Sequence, residues 1–214
     1  MGYTDDELVQ ANVAFKSRSG KTMDRFYSRV MFPIIDLRGN VVAFGGRILT
    51  DEKPKYINTS DTPVYHKSSG LFAMNFAKNN GGEQLILAEG YMDVISLHQA
   101  GFTNAMASLG TSLTVEQARL MSRYAKEVVI CYDSDAAGQK AASRAIPMLR
   151  EAGLLVKVLS VPGNKDPDEY IRSHGEEKRI DEKLEAKGFR VVDATCPFVK
   201  KIHNIVRKES AEGK

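Results

Sequence analysis

The sequence predicts an α/β fold, with a mostly parallel sheet flanked by helices and preceded by a small mixed α+β subdomain. Two observations support this prediction. Residues 81–175 alternate short apolar runs with helical patterns, as repeated strand–helix units do. Residues 1–80 instead contain paired strand patterns and a polar irregular stretch, and they carry 11 Lys and Arg against 8 Asp and Glu. We therefore expect the first region to be a basic subdomain.

The first 80 residues predict a hairpin followed by irregular structure. Arg29–Ile35 and Asn40–Leu49 have strand patterns, and the Leu-Arg-Gly-Asn sequence at 37–40 is typical of the turn between them. Residues 53–69 are rich in Pro, Thr, Ser and Asp, a composition that favours loops. The Asn-Asn-Gly-Gly sequence at 79–82 is the predicted boundary with the α/β unit.

Four strands and three helices are predicted between residues 81 and 175. Gly101 and Gly153 are typical residues for ending the first and third helices. Thr114 and Gln117 have the spacing of a capping box, and Pro147 predicts an interruption in the third helix. The predicted strands are Gln84–Ala88, Asn104–Leu109, Glu127–Tyr132 and Leu154–Val161, and the predicted helices lie at 91–100, 114–124 and 136–152.

Acidic residues follow three of these strands, in the order Glu89, then Asp133 and Asp135, then Asp166 and Asp168. Residues just beyond the carboxyl ends of parallel strands share one edge of the sheet, where ligands usually bind. Carboxylates gathered there repel one another unless a cation lies among them, and oxygen ligands suit Mg²⁺ or Mn²⁺. An Asp pair taken alone is also a common cap of a turn or helix, and that interpretation stays open.

Cysteine content and hydropathy restrict the class of protein. The two cysteines, Cys131 and Cys196, are far apart in sequence and have no Cys-x-x-Cys spacing, so neither a disulfide framework nor a complete zinc site is expected. No apolar run reaches 18 residues and the amino terminus is polar, which argues against a membrane span and a signal peptide. A cytoplasmic protein without a membrane partner is the simplest expectation.

Several motifs resemble the TOPRIM catalytic core of bacterial replicative DNA primase, the DnaG type. The resemblance covers about residues 1–175, and its most specific parts are Phe-Gly-Gly-Arg at 44–47 and Glu-Gly-Tyr-Met-Asp at 89–93. The other matching segments are 25–26, 29–33, 54–56, 66–67, 107–112, 131–138 and 165–168.

The resemblance implies template-directed synthesis of short RNA primers on single-stranded DNA from ribonucleoside triphosphates. By the same resemblance, Glu89, Asp133 and Asp135 are the central catalytic ligands of Mg²⁺ or Mn²⁺. A further ion or its waters would be held by Asp93, Asp166 and Asp168. The residues expected to bind nucleic acid or nucleotides are Arg29, Arg47, Lys55, Tyr56 and Lys67.

Residues 176–214 differ from this pattern, and we expect them to be a tail fragment that is not an independent domain. The segment Asp-Ala-Thr-Cys-Pro at 193–197 resembles part of the IspH-type iron–sulfur reductase, in which its cysteine, here Cys196, is one of three cluster ligands. No iron–sulfur cluster is expected, because one thiolate cannot hold a cluster. The primase zinc module is not expected because no cysteine precedes Cys131, and contact with the helicase is not expected without the family's carboxy-terminal domain.

Three other functions are open at this stage. A TOPRIM nuclease would use the same metal site for DNA cleavage. A truncated module could bind single-stranded DNA without starting chains by itself. An isoprenoid-pathway reductase is the least supported, because its other cluster ligands are missing.

Overall fold

The computed structural model describes residues 2–80, 82–109, 112–160 and 190–193. The helices are α1 (Asp5–Gln10), α2 (Met74–Asn80), α3 (Tyr91–Gln99), α4 (Val115–Met121) and α5 (Ala136–Glu151). The strands are β1 (Ala14–Lys16), β2 (Thr22–Asp24), β3 (Arg29–Ile35), β4 (Val41–Ile48), β5 (Tyr56–Asn58), β6 (Gln84–Ala88), β7 (Ala105–Ala107), β8 (Glu127–Cys131), β9 (Leu155–Ser160) and β10 (Arg190–Asp193).

The larger sheet has five strands in the order β10-β9-β8-β6-β7. The four strands β6 to β9 are parallel, and β10 pairs antiparallel with β9, so the predicted mostly parallel sheet is confirmed. Strands β6 and β8 are direct neighbours, with Ala88 opposite Cys131, so Glu89 and Asp133 follow adjacent strand ends.

Helices cover both faces of this sheet. On one face, Leu87 and Ile130 pack in an apolar cluster with α2, α4 and α5. On the other face, Ala88 and Val129 pack against α3. All four of these strand side chains have no exposed surface, as expected for the central strands of a parallel sheet. The carboxyl end of the sheet is therefore fixed by a fully buried core.

The smaller sheet is antiparallel, in the order β3-β4-β5. The predicted hairpin of the first two strands is confirmed. The stretch 53–69 was expected to be irregular, and this is wrong at β5, which pairs with β4. The strand is only three residues long and lacks a sequence pattern of its own. Its end is held by the buried Thr59, whose hydroxyl accepts from Phe44 N–H (2.9 Å) and donates to Phe44 O (3.0 Å).

Helix α5 continues through Pro147, so the predicted interruption is wrong. Pro147 lies on the exposed face of the helix, where the carbonyl that it leaves unpaired can meet water.

The capping box at Thr114 is confirmed, since its hydroxyl accepts from Gln117 N–H at 3.1 Å. Helix α1, the β1–β2 hairpin and α2 have no counterpart among the elements predicted from the sequence. By packing, α2 belongs with the larger sheet, because Met74 and Ala77 are buried in that core.

Of the expected tail fragment at 176–214, the structure describes only β10, and the other residues of that stretch lie outside the described residues. Within the described residues, no helix has the length and apolar character needed to cross a membrane.

Candidate active site

A cleft of about 380 Å³ lies between the two sheets. One wall comes from the carboxyl end of the parallel sheet and the start of α3, and we call it the acidic wall: Glu89, Asp93 and Asp133. The facing wall comes from β4 and β5, and we call it the basic wall: Arg47, Lys55 and Tyr56. The cleft thus brings together residues that are distant in sequence: Arg47 and Glu89 are 42 positions apart.

Glu89 is half-buried at the end of β6, and its Oε1 accepts a hydrogen bond from Asp133 N–H at 3.1 Å. Burial raises the pKa of Glu89 above its usual value, and the negative charges of Asp133 and Asp135 raise it further. The backbone hydrogen bond from Asp133 opposes this rise in pKa. Burial and the neighbouring negative charges together disfavour the ionised form of Glu89.

Asp135 is exposed and is the N-cap of α5, with its Oδ1 accepting from Gly138 N–H at 2.7 Å. The capping interpretation is therefore correct for Asp135, and its charge also reaches Glu89. Gly138 is buried next to the backbone of Asp133 and the carboxylate of Glu89. A Cβ at this residue would lie 2.1 Å from the Asp133 carbonyl oxygen and 2.8 Å from Glu89 Oε1. The first turn of α5 can approach the acidic wall only because residue 138 has no side chain.

Asp93 is in the first turn of α3, where its Oδ2 accepts from Gly90 N–H at 3.0 Å. Its charge reaches the same region as the other carboxylates. Burial raises the pKa of the Cys131 thiol, and the charges of Asp93, Asp133 and Glu89 add to that rise. A neutral, inaccessible thiol is not a metal ligand or nucleophile, so Cys131 is a core residue.

The donor set of the acidic wall has the chemistry of a hard divalent cation site, because it consists of carboxylate oxygens. No group of three His, Cys, Asp or Glu side chains within the described ranges is already arranged to hold a metal ion. Asp166 and Asp168, which were predicted to contribute, lie outside the described residues. The acidic wall thus fits a divalent cation in its charge and in its type of ligand atom.

The basic wall is organised around the ring of Tyr56, which is 39% exposed. The Arg47 guanidinium carbon lies 5.7 Å from the ring centroid and Lys55 Nζ lies 5.9 Å from it, both within the range of cation–π attraction. Arg47 Nε is buried and has no hydrogen-bond partner among the described residues. An unpaired buried donor carries an energetic cost.

The other two predicted phosphate-binding residues are not among those that line the cleft. Arg29 donates to three backbone carbonyl oxygens, those of Pro54 (2.8 Å), Lys55 (3.2 Å) and Gly46 (3.5 Å). In this position it holds the loop before β5 against β4. Lys67 lies in the loop before α2, where its N–H donates to Asp61 Oδ1 at 2.9 Å.

Two cleft residues with polar side chains were not singled out by sequence reasoning. Asn58 and Tyr91 both line the cleft, and the Tyr91 hydroxyl donates to Asn58 Oδ1. Tyr91 was part of a quoted motif, but only its neighbours had ionisable side chains that suggested chemistry. Asn58 gave no local signal, because its importance comes from a contact between residues 33 positions apart.

Comparison with known proteins agrees with this architecture. The family described as DNA primase catalytic core, N-terminal domain, matches residues 1–78, and the family described as Toprim-like matches residues 86–171. A DNA primase of Clostridium acetobutylicum is 43% identical over 222 residues, covering 97% of this chain. The chain belongs to the DnaG-type DNA primases.

Solved primase structures are similar over most of the chain. A DNA primase domain from Pseudomonas aeruginosa superposes with a TM-score of 0.77 at 40% identity, covering 85% of this chain and 57% of that one. A DnaG primase catalytic domain bound to single-stranded DNA gives a TM-score of 0.76 at 37% identity, covering 86% and 59%. The chain spans 37% of the length of the Clostridium primase, so it corresponds to a part of that protein. The match to the Clostridium primase covers 97% of this chain and therefore extends into residues 176–214. That these residues are a tail fragment from another protein stays a prediction.

Proposed function

We propose that this chain is a DNA primase catalytic core, which makes short RNA primers on single-stranded DNA by metal-dependent nucleotidyl transfer. The observation that carries the proposal is the cleft in which the acidic wall faces the basic wall. Phosphoryl transfer depends mainly on positioning the reactants and stabilising charge, and the two walls offer complementary charges for these tasks.

The acidic wall is assigned to binding Mg²⁺ or Mn²⁺. A divalent ion held there supplies positive charge to the attacking and leaving oxygens of an in-line displacement. The central ligands would be Glu89 and Asp133 of this wall together with Asp135 at the N-cap of α5. A further ion or its waters would be held by Asp93 of the wall and by Asp166 and Asp168. Burial raises the pKa of Glu89, and the negative charges of Asp133 and Asp135 raise it further. A cation bound beside Glu89 would stabilise its ionised form against both effects, which supports this assignment.

The basic wall is assigned to the polyanionic substrates. Arg47 and Lys55 would hold phosphates of the template or of ribonucleoside triphosphates, and the exposed ring of Tyr56 would stack on a base. The template class is supported by the relative that is bound to single-stranded DNA. We expect the reaction to take place in the cytoplasm, where a bacterial cell keeps its replicating DNA.

Primer synthesis on single-stranded DNA, with labelled ribonucleotides and Mg²⁺ or Mn²⁺, tests the proposal. The full chain should make short RNA, and Glu89→Gln should reduce the rate at least about 100-fold, because it removes a charged ligand while keeping the acceptor for Asp133 N–H. Glu116→Gln is the matched control, since Glu116 is an exposed carboxylate in the first turn of α4 and does not line the cleft.

Three outcomes would contradict parts of the proposal. Full activity in Glu89→Gln would refute the metal assignment. A folded chain that binds single-stranded DNA but makes no RNA would instead be a binding module. Cleavage of labelled DNA in the absence of nucleotides would identify a TOPRIM nuclease.

A further inference from the structure

Asn58 connects three elements that meet at the cleft. It is the last residue of β5, and its Oδ1 accepts from the hydroxyl of Tyr91, the first residue of α3. Its Nδ2 donates to the carbonyl oxygen of Leu109 at 3.0 Å, just beyond β7. One side-chain amide therefore joins the small sheet to the larger sheet at two points.

The ring of Tyr91 is held tightly on the side of the small sheet. It is 3% exposed and lies nearly parallel to the ring of Phe32, with centroids 4.9 Å apart. It also occupies the space where a side chain of residue 45 would be, since a Cβ on Gly45 would lie 2.5 Å from the Tyr91 hydroxyl oxygen. Gly45 is the residue of β4 that pairs with Asn58, so the hydroxyl is confined by both of its neighbours.

The chemistry of the pair favours a lasting hydrogen bond. The Tyr91 side chain is buried, and its uncharged hydroxyl donates to the Asn58 amide oxygen. The Asn58 amide is orientated by its second bond to Leu109, which leaves its oxygen directed at Tyr91. Neither group is charged, so salt should not weaken the bond as it weakens the charged contacts in the cleft.

The pair lies at the position where it can fix the distance between the walls. Tyr91 is two residues from both Glu89 and Asp93 along the chain. Asn58 is two residues from Tyr56, and alternate residues of a strand point to the same face. All five residues line the one cleft. Any change in the separation of the two walls must therefore move Asn58 relative to Tyr91.

We propose that Asn58 and Tyr91 are a positioning pair that holds the acidic wall at the correct distance from the basic wall. The inference rests on the proposed function, and it assigns neither side chain to the reacting atoms. Loss of the bond would leave both walls intact and misplace one relative to the other. Such misplacement lowers the rate of the chemical step more than it weakens binding of substrates.

The kinetic test is Tyr91→Phe, which removes only the hydroxyl and keeps the ring that packs on Phe32. We expect kcat for primer synthesis to fall about tenfold while KM for ribonucleotides changes less than about twofold, in assays run well below the melting temperature. Tyr65→Phe is the control, because Tyr65 is a buried tyrosine that does not line this cleft. Wild-type kcat in folded Tyr91→Phe would overturn the inference.

A double variant separates positioning from direct substrate contact by Asn58. If the bond is what matters, Asn58→Ala and Tyr91→Phe each lower kcat, and the double variant is no slower than the slower single variant. Additive losses would show that the two residues act independently, which would refute a positioning pair.

A distance measurement tests the pair without using activity. Spin labels at Leu49→Cys and Arg144→Cys, both exposed positions, report the separation of the small sheet from α5, in a Cys196→Ser background with Cys131 buried. Asn58→Ala should broaden the distance distribution relative to Tyr65→Phe, and an unchanged distribution would overturn the inference. If Asn58→Ala broadens the distance distribution but the wild-type chain makes no RNA, the proposed function fails while the positioning pair stands.

Discussion

The acidic and basic walls of the cleft are built in different ways. The acidic wall extends directly from strands whose side chains, such as Leu87 and Ile130, have no exposed surface. The basic wall stands on short antiparallel strands, and its central ring, Tyr56, is 39% exposed. The positions of the carboxylates are therefore fixed by a buried core. The positions of the basic side chains Arg47 and Lys55 instead depend on contacts between side chains. We expect substitutions in the acidic wall to have the larger effects.

Gly138→Ala should have the largest effect. In an ordinary helix interior this change stabilises by roughly 1 kcal/mol. Here the new Cβ would lie 2.1 Å from the Asp133 carbonyl oxygen, so we expect net destabilisation of about 1–3 kcal/mol. Primer synthesis should fall about 100-fold, because Glu89 and Asp133 must both move. Urea unfolding and the primer assay measure the two effects.

The control for Gly138→Ala is Ser143→Ala, an exposed change in the same helix. It should leave activity unchanged. If Gly138→Ala proved more stable and equally active, the close approach of α5 to the acidic wall would not hold.

A smaller effect, on the affinity for single-stranded DNA, is expected from Arg47→Gln. The matched control is Lys67→Gln. Arg47 lines the cleft, so its loss should weaken single-stranded DNA binding about tenfold at low salt and reduce the salt slope by about 0.7. Lys67 is not among the lining residues, and its substitution should change affinity less than about twofold. Fluorescence anisotropy across a salt series gives both quantities. Equal losses in the two variants would mean that the template path extends beyond the cleft.

The smallest effect concerns stability against pH in the absence of divalent ions. Because the pKa of Glu89 is higher in the folded chain than its usual 4.5, the wild type loses stability as pH rises from that value through the folded pKa. Glu89→Gln does not titrate. Its melting temperature should match that of the wild type near pH 4 and exceed it by about 2 °C at pH 8.

Calorimetry across this pH range checks the prediction, with Glu116→Gln as a control that should show no such divergence. Addition of Mg²⁺ should remove the advantage of Glu89→Gln, since an ion that binds the folded wild type stabilises it. A difference that is constant with pH would show that the charge of Glu89 is already neutralised.

The same contrast between the walls explains what sequence reasoning could find. Glu89 and Asp133 were predictable because a strand pattern that ends in a carboxylate places it at the sheet edge. The strands themselves were found from local apolar runs, and β6 matches its predicted bounds. The direct pairing of β6 with β8 is a long-range choice that local patterns do not encode.

Features that depend on tertiary contacts were missed or misassigned. Strand β5 exists through its pairing with β4, and Asn58 gains its contacts from residues in α3 and after β7. Arg29 was predicted to bind nucleic acid or nucleotides from its residue type, and that stays a prediction; its bonds to backbone carbonyls are contacts that no sequence pattern identifies. Pro147 was overvalued as a helix breaker, because its tolerance depends on which face of α5 meets water.

The contact between Gly45 and Tyr91 has a consequence for exchanging parts between homologous enzymes. Because Gly45 on β4 has no side chain, the ring of Tyr91 at the start of α3 fills the space beside it. A chimera that takes the small subdomain from one parent and the α/β unit from another will assemble only if the residues at positions 45 and 91 fit together. During evolution, a larger residue at position 45 would have to arrive together with a smaller one at position 91.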